Sequence, residues 1–204
     1  MANIDAPFGL RPLRHRNGAP YNGAVNPYYI AGDVAALFIG DPVVKTGESN
    51  TAAITVPGGG HFPIGTLPEV TKATAGDGNA ITGVIVGFAA LPDNLSLKHN
   101  TANTERVAFV CDDPDVVFEI QADGTIAAAQ VGLNAVLIYT NAGSAITGYS
   151  GAELDTTIDV PAADASNQLT IQRVVNREDN AAGANARVEV KINNHTESNA
   201  TLGL

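Results

Sequence analysis

The chain has 204 residues, 45% of them hydrophobic and 16% charged, which suits one packed domain or two small ones and excludes a disordered polymer. A chain this long buries roughly 70% of the surface it exposes when unfolded, so it needs no staple, and a lone Cys111 with four histidines more than thirty residues apart offers neither a disulfide framework nor a local zinc pair. A net charge of −10 works against general contact with nucleic acid or an anionic membrane, and no apolar run reaches the roughly 18 residues of a membrane span.

Gly, Asn and Pro together make up 50 of the 204 residues. These residues supply positive φ, fixed φ and side-chain turns, so they punctuate short strands and leave little room for amphipathic helices. The expectation is an all-β fold, an antiparallel β-barrel or sandwich of about ten short strands with at most one short helix.

Residues 1–24 hold three prolines, three glycines and three arginines without a period of 2 or 3.6, and read as an extended N-terminal arm on a body spanning 25–204. Phe8, Leu10, Leu13 and Tyr21 are too apolar for a free tail, so the arm packs either on its own domain or on a neighbour. Arg11, Arg14 and Arg16 against Asp5 leave the first 20 residues at +2 and the other 184 at −12. That contrast favours carboxylates on a partner or a sister subunit over phosphates as the arm's counterpart.

From Val25 the pattern becomes that of strands parted by Gly-Asp and Gly-Glu turns, as in 27–30, 34–39, 42–45 and 52–56, closing at the Gly58–Gly60 loop and His61. Ile81 to Phe88 is almost continuously apolar and suits a central strand covered on both faces. Residues 106–111 and 116–121 flank Asp112-Asp113-Pro114-Asp115 and read as a half-buried hairpin. Thr125 to Val131 is the one place for a helical turn, with Thr125 as N-cap and Gly132 beyond its end. Residues 154–160 and 187–192 alternate with period 2 and predict exterior strands with one wet face; 168–175 is a further strand, followed by a polar loop over 176–185.

Motifs that carry chemistry fail on spacing. Gly148-Tyr149-Ser150-Gly151 lacks the glycine of a nucleophile elbow, since Ala152 stands there, and Gly76-Asp77-Gly78 precedes a strand where a dinucleotide loop would open a helix. Pro114 splits the three carboxylates of Asp112, Asp113 and Asp115, and no distal glutamate completes a calcium loop. His61 reads as a loop residue without a chemical role and Cys111 as a small buried hydrophobe. The expectation is a protein that is not an enzyme, with no catalytic residue, cofactor or metal.

Asp5-Ala6-Pro7-Phe8-Gly9-Leu10-Arg11-Pro12, Asn17-Gly18-Ala19-Pro20-Tyr21-Asn22-Gly23, Tyr28-Tyr29-Ile30 and Gly40-Asp41-Pro42-Val43 resemble the start of the small virion proteins that tailed bacteriophages encode beside the major capsid protein. Val188 to His195 resembles the closing strand of that group. The resemblance implies a β-rich head decoration or cement protein, made in the bacterial cytoplasm and located on the outer surface of the capsid, and Met1 to Asp5, with neither the basic start nor the apolar stretch of a secretory signal, fits that expectation. Its implied partners are the major capsid protein and copies of itself, more readily a homotrimer than a dimer, with no nucleic acid and no membrane. Phe8, Leu10, Arg11, Leu13, Arg14, Arg16 and Tyr21 are the residues expected to bind capsid or neighbouring subunit. The alternative from another class is a glycan-binding β-sandwich module of a phage tail, poorly supplied with exposed aromatics since the chain has no Trp.

Overall fold

Tyr28, Ile30, Val43, Val70, Ile85, Ala108 and Val110 belong to one buried cluster and come from five different strands. In the computed structural model, which describes residues 3–57 and 60–198, those strands close a barrel in the order Asn26–Ile30, Pro68–Lys72, Pro42–Ser49, Gly83–Phe88, Arg106–Cys111. Neighbours are antiparallel except at the seam Tyr29↔Glu69, where the pairing is parallel. The hairpin Ile54–Val56 with Gly60–Phe62 covers a small cluster of Tyr29, Leu67, Ala89 and Val107 outside the barrel.

Alternation then builds the second half. Because successive residues on a strand face opposite ways, Val84 and Cys111 leave the barrel interior to their neighbours Ile85 and Val110 and point outward. There they meet the inner face of a five-stranded antiparallel sheet, ordered Arg11–His15, Val116–Gln121, Arg187–Ile192, Leu169–Val174, Asn134–Ala135. Phe118, Ile120, Ile171, Val188 and Val190 are fully buried in this layer, together with Leu10 and Ile81. The all-β expectation holds: ten strands form the barrel and the sheet, and the remaining described strands are pieces of two or three residues.

The sheet's outer face is ionic. The register places Arg11, Glu119, Glu189 and Arg173 in one row across four strands, so two glutamates sit directly opposite each other. Arginines resolve the repulsion: Arg14 lies 2.6 Å and Arg173 2.9 Å from Glu189, while Arg177 and Arg187 approach Glu119 at 3.5 and 3.9 Å. Phe8 is held between the guanidiniums of Arg11 and Arg187, 4.6 and 5.2 Å from its ring centre.

Five expectations are corrected. Residues 1–24 are not a separable arm: Arg11–His15 is an edge strand of the sheet, and Phe8 and Leu10 are buried in its packing. Residues 106–111 and 116–121 do not pair with each other, because the Asp112–Asp115 turn passes the chain from the barrel to the sheet, and the second strand is buried along its whole length. Of the alternating run 154–160 only Leu154, at the end of the two-residue strand Glu153–Leu154, is strand, and Ile158 and Val160 are exposed. The Asp155 carboxylate accepts hydrogen bonds from the backbone N–H of Thr157, Ile158 and Asp159 and so bends the segment into a turn. Likewise Arg187–Ile192 is an interior strand of its sheet, its Glu189 covered by the arginines above. The helical segment is one 3₁₀ turn, Ala128–Gln130, and Thr125 is a strand residue paired with Ala184 instead of a cap.

Burial would raise the Glu189 pKa, but the hydrogen bonds from Arg173 and Arg14 outweigh it and hold the carboxyl below its ordinary value. A depressed folded pKa contributes stability that is present above the unfolded value, about 4.3, and is lost as pH falls through the folded one. Arg14→Ala should therefore lower stability by about 1–3 kcal/mol at neutral pH, with the loss shrinking below about pH 4, as read by urea melts at both pH values. Leu10→Ala should cost about 2–5 kcal/mol at either pH. Deleting residues 1–20 should lower the melting temperature sharply, where a separable arm would leave it unchanged.

Candidate functional site

The loop that follows residue 140 is Asn-Ala-Gly-Ser-Ala-Ile-Thr-Gly-Tyr-Ser-Gly, and its glycines fix how it lies. A Cβ on Gly143 would stand 2.2 Å from the Phe38 ring, one on Gly148 (φ +82°) 2.5 Å from Lys98 Cβ, and one on Gly151 2.4 Å from the Asn141 carbonyl. The loop is thus pressed onto Phe38 and Lys98 and closed on itself at its base. Ser144 N–H donates to Tyr149 O and Gly148 N–H to Ser144 O, and a parallel bridge Ile39↔Tyr149 ties it to the barrel. What the loop presents is apolar: Ile146 is 87% and Tyr149 45% exposed.

These side chains form one wall of a groove. Its larger part, about 670 Å³, lies between the loop, Leu97, Lys98, and Gly87 and Phe88 of the barrel, with Arg106 at its base. A smaller part, about 290 Å³, is bounded by Phe8, Leu10, Arg11 and Tyr21 of the N-terminal segment. Both parts share Ile39 and Tyr149, so they adjoin. The floor follows the strand Gly83–Phe88, which the neighbouring strand Pro42–Ser49 pairs only at Gly83 and Val84. Gly40 N–H and Asp41 O bond Ile85, and past Ile85 this edge has no strand partner among the described residues.

Arg106 at the base is 6% exposed, and its guanidinium donates to three carbonyls, Ala89 O at 2.8 Å, His99 O at 2.7 Å and Leu97 O at 3.3 Å. It stacks 5.0 Å from the Phe88 ring centre and has no carboxylate partner among the described residues. Burial alone displaces its pKa, downward, as expected of a cation without a counter-ion. Arg11, Lys98 and Arg106 are the charged residues lining the groove, which includes no acid among the described residues.

The predicted partner-binding residues separate. Phe8, Leu10, Arg11 and Tyr21 edge the groove, the first two as buried side chains showing only a rim. Arg14 is engaged with Glu189 of its own chain, so its expected pairing with an external acid is replaced by an internal one. Arg16 is exposed beside Asn17, Asp113 and Asp115, on a separate hollow, and Leu13 is half-buried on the edge strand. The sequence reading missed Ile146, Lys98 and Arg106. Only an isoleucine and a tyrosine set among three glycines hinted at the first.

The other motifs are occupied by the fold. Ser150 is buried and its hydroxyl donates to Asp41. Asp112 accepts from Asn26 and Tyr28, Asp113 faces His15 at 3.2 Å and Asp115 lies 3.7 Å from Lys191. His61 is exposed, 3.2 Å from Thr55. Cys111 is fully buried and its thiol is pushed up to about 11 by desolvation. No family model matches the chain, and no curated protein or solved structure matches it either.

The buried, high-pKa thiol should resist Ellman's reagent in the native protein at pH 8 and react fully on unfolding in guanidinium. Gly148→Ala should push Lys98 away and loosen the loop, visible as faster proteolysis after residue 143 with little change in the barrel's melting temperature.

Proposed function

We propose that this chain is a structural virion protein that binds the outer surface of a tailed-phage capsid and stabilises the shell, acting as a non-enzymatic clamp. The observation that carries the reading is the rigid apolar groove built jointly by the N-terminal segment and the loop around Ile146. The sequence resemblance of residues 5–43 and 188–195 to head decoration proteins supplies the identity of the surface it meets. A protein that stabilises a shell must transmit force between neighbours, and a closed barrel cemented to a sheet through one core does so better than a hinged arm.

The attachment surface is an exposed patch whose residues have no role inside the fold. The side chains of Ile146 and Tyr149 meet that description, since replacing their outer atoms removes no core contact. Burying an isoleucine and part of a tyrosine at each site contributes about 2–4 kcal/mol, multiplied over the many copies on a symmetric shell.

Heads assembled without this chain should bind the purified protein in a sedimentation assay and retain their DNA to higher temperature. Ile146→Asp with Tyr149→Ser should reduce occupancy by about tenfold or more while leaving the free protein's melting temperature unchanged. Ile158→Asp, at an equally exposed residue outside the groove, should bind normally. Wild-type protein that neither binds nor protects such heads would overturn the reading.

A further inference from the structure

We propose that the groove receives an extended, acidic and apolar segment of a partner chain, laid along the free edge of Gly83–Phe88 with a carboxylate over Arg106 and Lys98. This rests on the reading of the groove as the shell contact only for the partner's identity; its chemistry follows from the groove alone. Three independent features converge on that occupant.

The first is charge. In a chain of net charge −10, a groove lined by Arg11, Lys98 and Arg106 and by no acid is an inversion of the surface around it. Arg106 is the sharper part of it. Its three carbonyl bonds fix the guanidinium plane but leave its positive charge uncompensated in a desolvated place, and two of its five N–H donors remain beyond those bonds. A carboxylate arriving from the groove side completes the pair and finds Lys98, exposed on the rim, within the same wall.

The second is the strand edge. Past Ile85 the backbone of Gly83–Phe88 has a strand on one side only among the described residues, its pairing there is irregular between Ile85 and Gly87, and Ile85 to Phe88 line the groove. An incoming extended chain gains backbone hydrogen bonds there, which is recognition by strand addition. The third is the apolar wall. Ile39, Leu97, Ile146 and Tyr149 suit alternate aliphatic side chains of such a strand and give nothing to a phosphate backbone, so the anion belongs to a peptide and not to nucleic acid.

The test uses the full-length chain and fluorescein-labelled decapeptides followed by anisotropy at low salt, each peptide bearing two leucines and three aspartates in varied order. At least one order should bind, its asparagine twin about tenfold more weakly and its lysine twin not at all. Lys98→Glu and Ile146→Ser should each weaken the acidic peptide about fivefold without changing the melting temperature, and raising the salt should weaken it further. Equal binding of the acidic and asparagine twins, no binding by any order, or unchanged binding by both variants would overturn the inference. So would a concentration-dependent rise in mass that Lys98→Glu abolishes, which would make the occupant a second copy of this chain. Peptides that bind while bare heads do not would remove the virion reading and leave the groove's chemistry standing. Heads that bind while no peptide does would do the reverse.

Discussion

Asp41 is where the parts of the molecule meet. Its side chain is fully buried and accepts hydrogen bonds from Phe38 N–H and the Ser150 hydroxyl, while Lys72 Nζ stands 3.0 Å away. Its backbone takes part too, with its carbonyl accepting from Ile85 N–H. A buried carboxylate left unpaired costs several kcal/mol, so each of these partners is held where the anion needs it. One turn thereby fixes the strand Pro68–Lys72 through Lys72, the groove floor through Ile85 and the groove wall through Ser150. Gly40 beside it has φ +92°, and a Cβ there would lie 2.6 Å from Phe8 O, so the N-terminal segment crosses the turn only because that residue is glycine. Leu10 N–H then bonds Gly40 O at 2.9 Å and starts the edge strand of the sheet.

The strands most legible in the sequence are those whose environment imposes a pattern on every residue. Leu169–Val174 and Arg187–Ile192 lie between two partners, Gly83–Phe88 does so over its first two residues, and their apolar positions recur as burial requires. What alternation does not encode is which sheet a strand joins. Residues 106–111 and 116–121 carry compatible patterns, yet the outward Cys111 of one and the inward Phe118 of the other meet across the barrel–sheet layer. The Arg11–His15 strand was hidden for a different reason: Arg-Pro-Leu-Arg-His has no apolar period, and its stabilising partners Glu119 and Glu189 lie more than a hundred residues away. Residues 154–160 failed in the opposite sense, since an alternating pattern was overridden by one aspartate capturing three backbone N–H groups. The groove was illegible because it is assembled from six stretches of chain, among them the N-terminal segment and the loops around Ile39, Leu97 and Ile146, which carry no period.

The same distinction governs the charges. Counting acids and bases predicts a repulsive surface, but the arginines are not spread over it. Arg14, Arg173, Arg177 and Arg187 gather over the two opposed glutamates of the sheet, where cross-strand pairing brings like charges together and would otherwise open the register. Lys45 and Lys72 are also engaged, with Glu197 and Asp41. Arg106 stands apart from this economy, buried among carbonyls that satisfy its geometry and leave its charge alone.

A mobile tether and a preformed groove attach a protein to a surface by different physics. A tether gains reach and must order its side chains on contact, at roughly 0.5–1.5 kcal/mol for each one immobilised. Here Phe8 and Leu10 are ordered when the chain folds, because the first sits between two guanidiniums and the second in the core. The loop of Ile146 is likewise set in advance, pinned by Gly143 on Phe38 and Gly148 on Lys98. Any partner that enters the groove therefore meets a surface whose entropy has already been lost, and the burden of ordering falls on the incoming segment. Preorganisation of that kind makes a shallow apolar wall and two cations sufficient for a specific contact, since little of their attraction is consumed in arranging them.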